Sequence, residues 1–267
     1  MAIAVAGQIK GAKPETAAKT LRETADSFGP YWNQAFRQMS KHLDGNARVA
    51  AIVPDQKEAA LIIEGARQSV PALRKALGVK DGDDGIAKAV ADDDRMKDLA
   101  TSLSQRAGGS GTATQVAQSI EVLALQRMRV YGEDQSTATE RAIEKVIGEK
   151  YDFARVGARP FRVPREVGDA STVEAGARGF QANIKAGAVD APPDAATDEQ
   201  KSSYADAVRR NGYWVTNDDE TGAVLYNERG VPVTRKGKPI TLKWSDLAAT
   251  QSAPPDAVLS DRIPGVN

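Results

Sequence analysis

The sequence predicts an α+β protein, an N-terminal α-helical domain followed by a small β-rich C-terminal domain, and two observations carry that prediction. Before Gly148 the hydrophobic residues recur at helical spacing and the aromatics are confined to Phe28, Tyr31, Trp32, Phe36 and Tyr131. After it, aromatics crowd from Tyr151 to Trp244, and short β-prone runs alternate with turn-rich segments. A chain of 267 residues is long enough for two cores.

About six to eight helices are expected over residues 1–148. Pro14-Glu15 suits a helix start, with Pro in the first turn and an acid against the dipole, running to about Ser27 before Gly29-Pro30 breaks it. Trp32, Phe36, Met39 and Leu43 then lie on one helical face, a core stripe ended by Asp44-Gly45. Asp55 with Glu58 forms a cap arrangement ahead of Ala59, Ala60, Ile62 and Ile63, and Gly65 marks a stop. A short helix follows from Pro71 to Leu77. The acidic run from Lys80 to Gly85 and Gly108-Gly-Ser-Gly111 read as loops around helices near Asp94–Ala107 and Thr112–Tyr131. The second of these, with Val116, Ile120, Leu123, Leu125 and Met128, has an apolar face too wide for a surface helix and is expected at the centre. Thr137 with Glu140 reads as a capping box for a last helix closed by Gly148.

Residues 149–196 read as an extended linker with a short helix, because Tyr151–Arg165 carries two prolines among scattered aromatics and Ser171 with Glu174 looks like a capping box. Residues 197–247 read as a helix plus a β-meander domain. Thr197 and Gln200 cap the helix and Asn211-Gly212 ends it. Tyr213–Thr216, Ala223–Tyr226, Val231–Thr234 and Pro239–Trp244 are then the four strands of an antiparallel meander. Residues 248–267 are expected to be an irregular tail.

Lys plus Arg equals Asp plus Glu at 36 each, and the balance holds on both sides of Gly148. Nonspecific binding to nucleic acid or to an anionic membrane needs a basic excess, so both are disfavoured as main partners. With no Cys there is no disulfide framework, no thiolate nucleophile and no Cys-based zinc site. The first ten residues lack the basic lead of a signal peptide, and no run approaches the roughly 18 apolar residues of a membrane span.

Asn217, Asp219, Thr221, Gly222 and Glu228 match positions one, three, five, six and twelve of an EF-hand calcium loop. The same residues also suit a hairpin turn, which the β-prone flanks, Asn at position one and Leu225 at position nine favour. Arg155, Arg159, Arg162 and Arg165 form a basic segment with no intervening acid, able to hold phosphate or carboxylate groups of a partner. A solvated or interface stretch is the plainer alternative. Asp92, Asp93 and Asp94 complement a helix dipole. His42 is the single histidine, so neither a Ser-His-Asp triad nor a multi-imidazole metal centre is suggested, and no cofactor is expected. Two of the many acids converging in space remain a route to glycosidase chemistry, and that keeps a peptidoglycan-degrading hydrolase as an alternative. A calcium-dependent binding module is another.

Three segments resemble large internal virion proteins of tailed phages, the multi-domain proteins of short-tailed phages that are ejected with the DNA and in some cases carry a lytic transglycosylase domain. They are Ala25–Trp32, Phe161–Arg165, and Asn211–Tyr226 together with Gly237–Leu247. The resemblance implies a hairpin module near the C-terminus after long helical regions. It also implies a non-enzymatic virion protein, made in the host cytoplasm and ejected into the host envelope, that aids genome delivery. Its partners would be portal or core/ejection proteins and further copies of itself, with transient DNA contact and no membrane span. Transglycosylase activity does not carry over, since the catalytic Glu of that motif is followed by Ser and no Glu here is. Subunit recognition needs shaped aromatic surface, for which Tyr213, Trp214, Tyr226 and Trp244 are the candidates.

Overall fold

The computed structural model describes residues 2–31, 35, 38, 39, 42, 43, 45–68, 70–79, 85–105, 109–193, 195 and 197–250. Trp32 and Phe36 of the expected stripe, residues 80–84 of the acidic loop, Gly108 and the tail beyond 250 lie outside the described residues. The chain is α+β and divides into two compact units, one ending at Lys150 and the other beginning at Tyr151. No helix among the described residues is long and apolar enough to cross a membrane.

The first unit is helical. α1 (Ala2–Gly11) leads into α2 (Pro14–Phe28), which starts on Pro14 and buries Ala17, Ala18 and Leu21. α3 (Gly45–Ile52) is followed by α4 (Gln56–Ala66), whose N-cap Asp55 accepts from the backbone N–H of Lys57 at 2.8 Å and of Glu58 at 3.4 Å. α5 (Val70–Leu77) ends at Gly78, where φ is +67°. α6 (Ile86–Asp92), α7 (Asp94–Ser104), α8 (Gly109–Tyr131) and α9 (Gln135–Ile143) complete the unit, the last running on into a wider π turn over Glu144–Gly148.

The central role expected for Thr112–Tyr131 holds: α8 packs against α3, α4, α5, α6, α7 and α9, and Ile120, Val122, Leu123, Ala124 and Leu125 are all buried, so its middle is covered all round. Two glycines read as helix breakers are instead contact points. Gly65 lies buried within α4, where an added Cβ would overlap Val122 and Gln126 of α8. Gly109 opens α8 rather than a loop, and a Cβ there would overlap the carbonyl of Leu103. The cap of α9 is Asp134, which accepts from Thr137 N–H at 3.0 Å, so the box expected at Thr137 and Glu140 is displaced by the better acceptor three residues earlier.

The second unit begins with residues read as linker. β1 (Tyr151–Val156) and β2 (Arg159–Pro164) form an antiparallel hairpin, turning through Gly157 at φ +73°. Pro160 and Pro164 stand opposite Arg155 and Tyr151, and the Arg155 N–H points out of the pair to the Glu174 carboxylate at 2.7 Å. At such positions a strand partner needs no ladder donor, which is why β2 tolerates both prolines. They also remove two donors from its outer edge. β3 (Tyr213–Thr216) therefore meets β2 through a side chain, Thr216 Oγ1 donating to the Arg162 carbonyl at 2.6 Å, and the hairpin stays a separate two-stranded sheet.

α10 (Ala170–Ala182) is capped by Asp169, not Ser171, and α11 (Asp198–Asn211) by the expected reciprocal box of Thr197 and Gln200. The expected four-strand meander is a three-stranded antiparallel sheet, β3, β4 (Gly222–Tyr226) and β7 (Thr241–Lys243), with a two-residue pair, β5 (Thr234–Arg235) and β6 (Lys238–Pro239), beside it. The run from Val231 shares one edge of β4 with β7. It makes a bridge at Pro232 and a bond from Val233 N–H to the Leu225 carbonyl, and the next position along, Leu225 N–H, already belongs to the Ile240 carbonyl. Pro232 has no N–H to extend the ladder. The chain after β7 is helical, α12 (Trp244–Thr250), rather than an extension of the strand into Trp244 and an immediate irregular tail. One core, including Phe161, Phe180, Trp214, Leu225, Leu242 and Leu247, joins β1 to β4, β7, α10, α11 and α12.

Candidate functional site

The four arginines expected to act together are separated by strand geometry. Successive residues of a strand face opposite sides. Arg159 and Arg162, three apart on β2, therefore diverge: the exposed Arg159 guanidinium lies 4.0 Å from the centre of the Tyr213 ring, whereas Arg162 is buried. Arg165 pairs with Asp152 at 3.0 Å, and Arg155 offers its carbonyl to Arg178 at 3.4 Å. No shared anion cradle forms from this set.

The aromatic side chains assigned to docking are mostly core. Trp214 is 1% exposed, packs edge-on against Phe180, and donates its indole N–H to Gln181 Oε1 at 3.0 Å. Trp244 is buried with its indole N–H on the Glu220 carbonyl at 2.6 Å. Tyr213 is buried and stacks on the half-buried Tyr226, ring centres 5.8 Å apart. Of the four large rings read as interface material, Trp214 and Trp244 fill the interior of this unit.

The residues of the calcium pattern are spread along the β3–β4 hairpin. Asn217 Oδ1 accepts from Gly222 N–H at 3.0 Å, Thr221 donates both its N–H and its hydroxyl to Asp219 Oδ1 at 3.2 and 2.7 Å, and Glu228 accepts from Asn211 Nδ2 at 2.9 Å. Residues 217–221 turn at one end of the β3–β4 hairpin, and Glu228 lies past its other end. At about 3.3 Å per residue the strand puts the twelfth position roughly 17 Å from the first ones, so these oxygens do not surround one ion. Among the described residues no three His, Asp or Glu side chains are grouped to hold a metal.

Two buried ionic clusters, which the sequence reading missed, hold the polar groups best placed for chemistry. In the second unit the hydroxyl of buried Tyr151 donates to Glu220 Oε1 at 2.9 Å, and Arg162 Nε donates to the same oxygen at 3.3 Å while its guanidinium lies 5.8 Å from the Tyr151 ring centre. Glu220 adopts φ +59°, the left-handed conformation that ordinary residues seldom take, at the tip of the β3–β4 turn. Its carboxylate and its carbonyl, held by Trp244, thereby fasten the turn to β1, β2 and α12. Burial, with the neighbouring Glu220 charge, pushes the Tyr151 hydroxyl far above its ordinary value. A phenol so held stays protonated and serves as a hydrogen-bond donor, not as a base.

In the first unit Arg127 of α8 is 6% exposed and lies between two carboxylates, the buried Glu58 and the half-buried Glu133. It donates to Glu58 of α4, and holds Glu133 through a bidentate pair, Nε to Oε2 at 2.9 Å and Nη2 to Oε1 at 2.7 Å. Arg141 of α9 also pairs with Glu133. The hydrogen bond from Arg127, reinforced by Arg141, holds the Glu133 carboxyl below its ordinary value. Paired-carboxylate hydrolysis requires one acid raised towards neutrality and an open space between the two. Here the arginine fills that space and the shift runs the opposite way. Asp93, the middle acid of its run, caps α7 and accepts from Arg95 at 2.9 Å, a structural use of the dipole. The signal that could have found the clusters is a charged residue inside an apolar stripe: Arg127 follows Leu125 and Gln126 on the central helix.

Comparison with protein-family models, with curated proteins and with solved structures gives no match to this chain.

Proposed function

We propose that the chain is a non-enzymatic structural protein of a phage virion, an internal or ejection protein that assembles with other virion proteins and assists genome delivery. The observation that carries the reading is the placement of the segments resembling such proteins. Asn211–Tyr226 and Gly237–Leu247 build the three-stranded sheet and run into its covering helix, in a compact unit that follows a helical one. Support comes also from how the charged groups are spent. Glu58, Arg127 and Glu133 tie α4, α8 and the connection from α8 to α9 together, and Tyr151, Arg162 and Glu220 tie a turn to a hairpin. Groups engaged in this way maintain shape, which assembly requires.

Tailed particles purified from infected cells that express the protein test this directly. Peptide mass spectrometry is expected to recover it in fixed ratio to the portal, and chemical cross-linking to join it to portal or core proteins. Its absence from washed particles, or clearing of a peptidoglycan suspension by the purified protein, would overturn the reading.

A further inference from the structure

In the helical unit, the C-terminal end of α1, the start of α3 and the last turn of α4 surround an open pocket of about 440 Å³. Its wall is apolar, formed by Ile9, Leu43, Ala47 and Ile63. Its polar side chains are Lys10, His42 and Arg67, and among the described residues no carboxylate lines it. The volume falls within the range of about 300–1,000 Å³ typical of small-molecule sites.

Arg67 is fixed in place. Its Nη1 donates to the Ala12 carbonyl at 2.7 Å, and its Nη2 to those of Ile9 at 3.2 Å and Lys10 at 3.4 Å, which closes the C-terminal carbonyls of α1. A guanidinium carries five N–H donors, so the Nε–H and one N–H on Nη1 remain. Lys10 has no carboxylate partner among the described residues, and α1 itself contains no acid. Elsewhere in this unit Arg74, Arg95, Arg127, Arg129 and Arg141 each face a carboxylate. Positive charge without a carboxylate partner among the described residues thus lies here beside an apolar floor.

We propose that the pocket binds an amphipathic carboxylate, a medium-chain acyl anion. Its hydrocarbon chain lies against Ile9, Leu43, Ala47 and Ile63, where each buried methylene adds affinity. Its carboxylate takes the spare donors of Arg67, a planar fork already held rigid, and the ammonium of Lys10. His42 stands at the rim as a neighbour of the head group. Charge complementarity and the apolar wall together exclude a plain inorganic anion and a neutral alcohol as equal ligands.

The test uses the full chain with decanoate below its micelle concentration, and with decanol and acetate as the uncharged and chainless controls. Because the chain has a single histidine, the imidazole resonances of His42 report on the pocket alone. Decanoate is expected to bind saturably by calorimetry and to shift those resonances, with decanol and acetate each at least tenfold weaker. Lys10→Gln, an exposed change, is expected to weaken decanoate at least tenfold while leaving the melting temperature of the ligand-free protein unchanged. Three results overturn the proposal: decanoate leaves His42 unmoved, decanol or acetate binds as well as decanoate, or Lys10→Gln binds decanoate like the unaltered chain.

Discussion

A single arginine illustrates why buried charge is costly to disturb here. Removing Arg127 leaves the buried Glu58 without a counter-charge and Glu133 with Arg141 alone, and breaking one side of a buried pair costs about 3–5 kcal/mol. Arg127→Met is therefore expected to lose that much in denaturant unfolding followed by helical circular dichroism. The same site sets an acid limit. Glu133 has a folded value below its ordinary 4.5, so its contribution is complete above that value and is lost as pH falls through the lower, folded one. Acidification from about pH 5 to pH 3 should lower the stability of the helical unit, and the slope should flatten in Arg127→Met, where Arg141 alone still holds the carboxyl down. A neutral example lies in the second unit. Gln181 Nε2 closes the end of α11 by donating to the carbonyls of Val208 at 3.0 Å and Gly212 at 2.9 Å, while its Oε1 receives the Trp214 indole. Gln181→Leu strands these groups in the interior, and a loss of about 2–4 kcal/mol is expected in unfolding followed by tryptophan fluorescence.

Between elements, the closest approaches occur at glycine. On α10 a Cβ added to Gly176 would overlap the Leu247 carbonyl of α12, whereas one added to Gly179 meets nothing within 4 Å. Gly176→Ala should therefore push α12 away, cost about 1–3 kcal/mol and red-shift the emission of Trp244. Gly179→Ala, three residues along the same helix, should be neutral or stabilising by up to about 1 kcal/mol, since it only removes the flexibility of glycine in a helix. The contrast shows what sequence reading can and cannot reach at this scale. Asp55 and the Thr197–Gln200 box were legible because a cap is settled within four residues. Gly65 and Gly109 were not, since a glycine that ends a helix and one that admits a neighbouring backbone are the same letter, and only the partner tells them apart. The third expected strand of the meander, Val231–Thr234, does not join the sheet for a related reason. Pro232 and the competition between Val233 and Ile240 for one edge of β4 are properties of pairing between strands, not of any run by itself.

At the level of the molecule, the shift in residue usage at Gly148 marked a change of packing regime that can be tested. The hairpin prolines made Tyr151–Arg165 look unstructured, yet Phe161 and Val163 lie at 0% exposure in the same core as Trp214 and Leu225. Asp190, in the segment read as linker, accepts from the N–H groups of Lys236 at 3.0 Å and Gly237 at 2.7 Å, and so ties that segment to the β5–β6 turn. The backbone hydrogen bond from Gly237 holds its carboxyl below the ordinary value, as expected of an acid that folds onto amides. Residues assigned to a connector thus contribute core and clamps to a unit of about domain size. A fragment of residues 151–250, containing Trp214 and Trp244 but not Trp32, is expected to unfold in one cooperative step with blue-shifted emission in the folded state. A fragment beginning at residue 197, where the β-meander domain was expected to start, lacks Phe161, Phe180 and the Gln181 clamp, and should show red-shifted emission and no cooperative transition. If the shorter fragment folds as well as the longer one, the hairpin and α10 are accessory to this unit rather than part of its core.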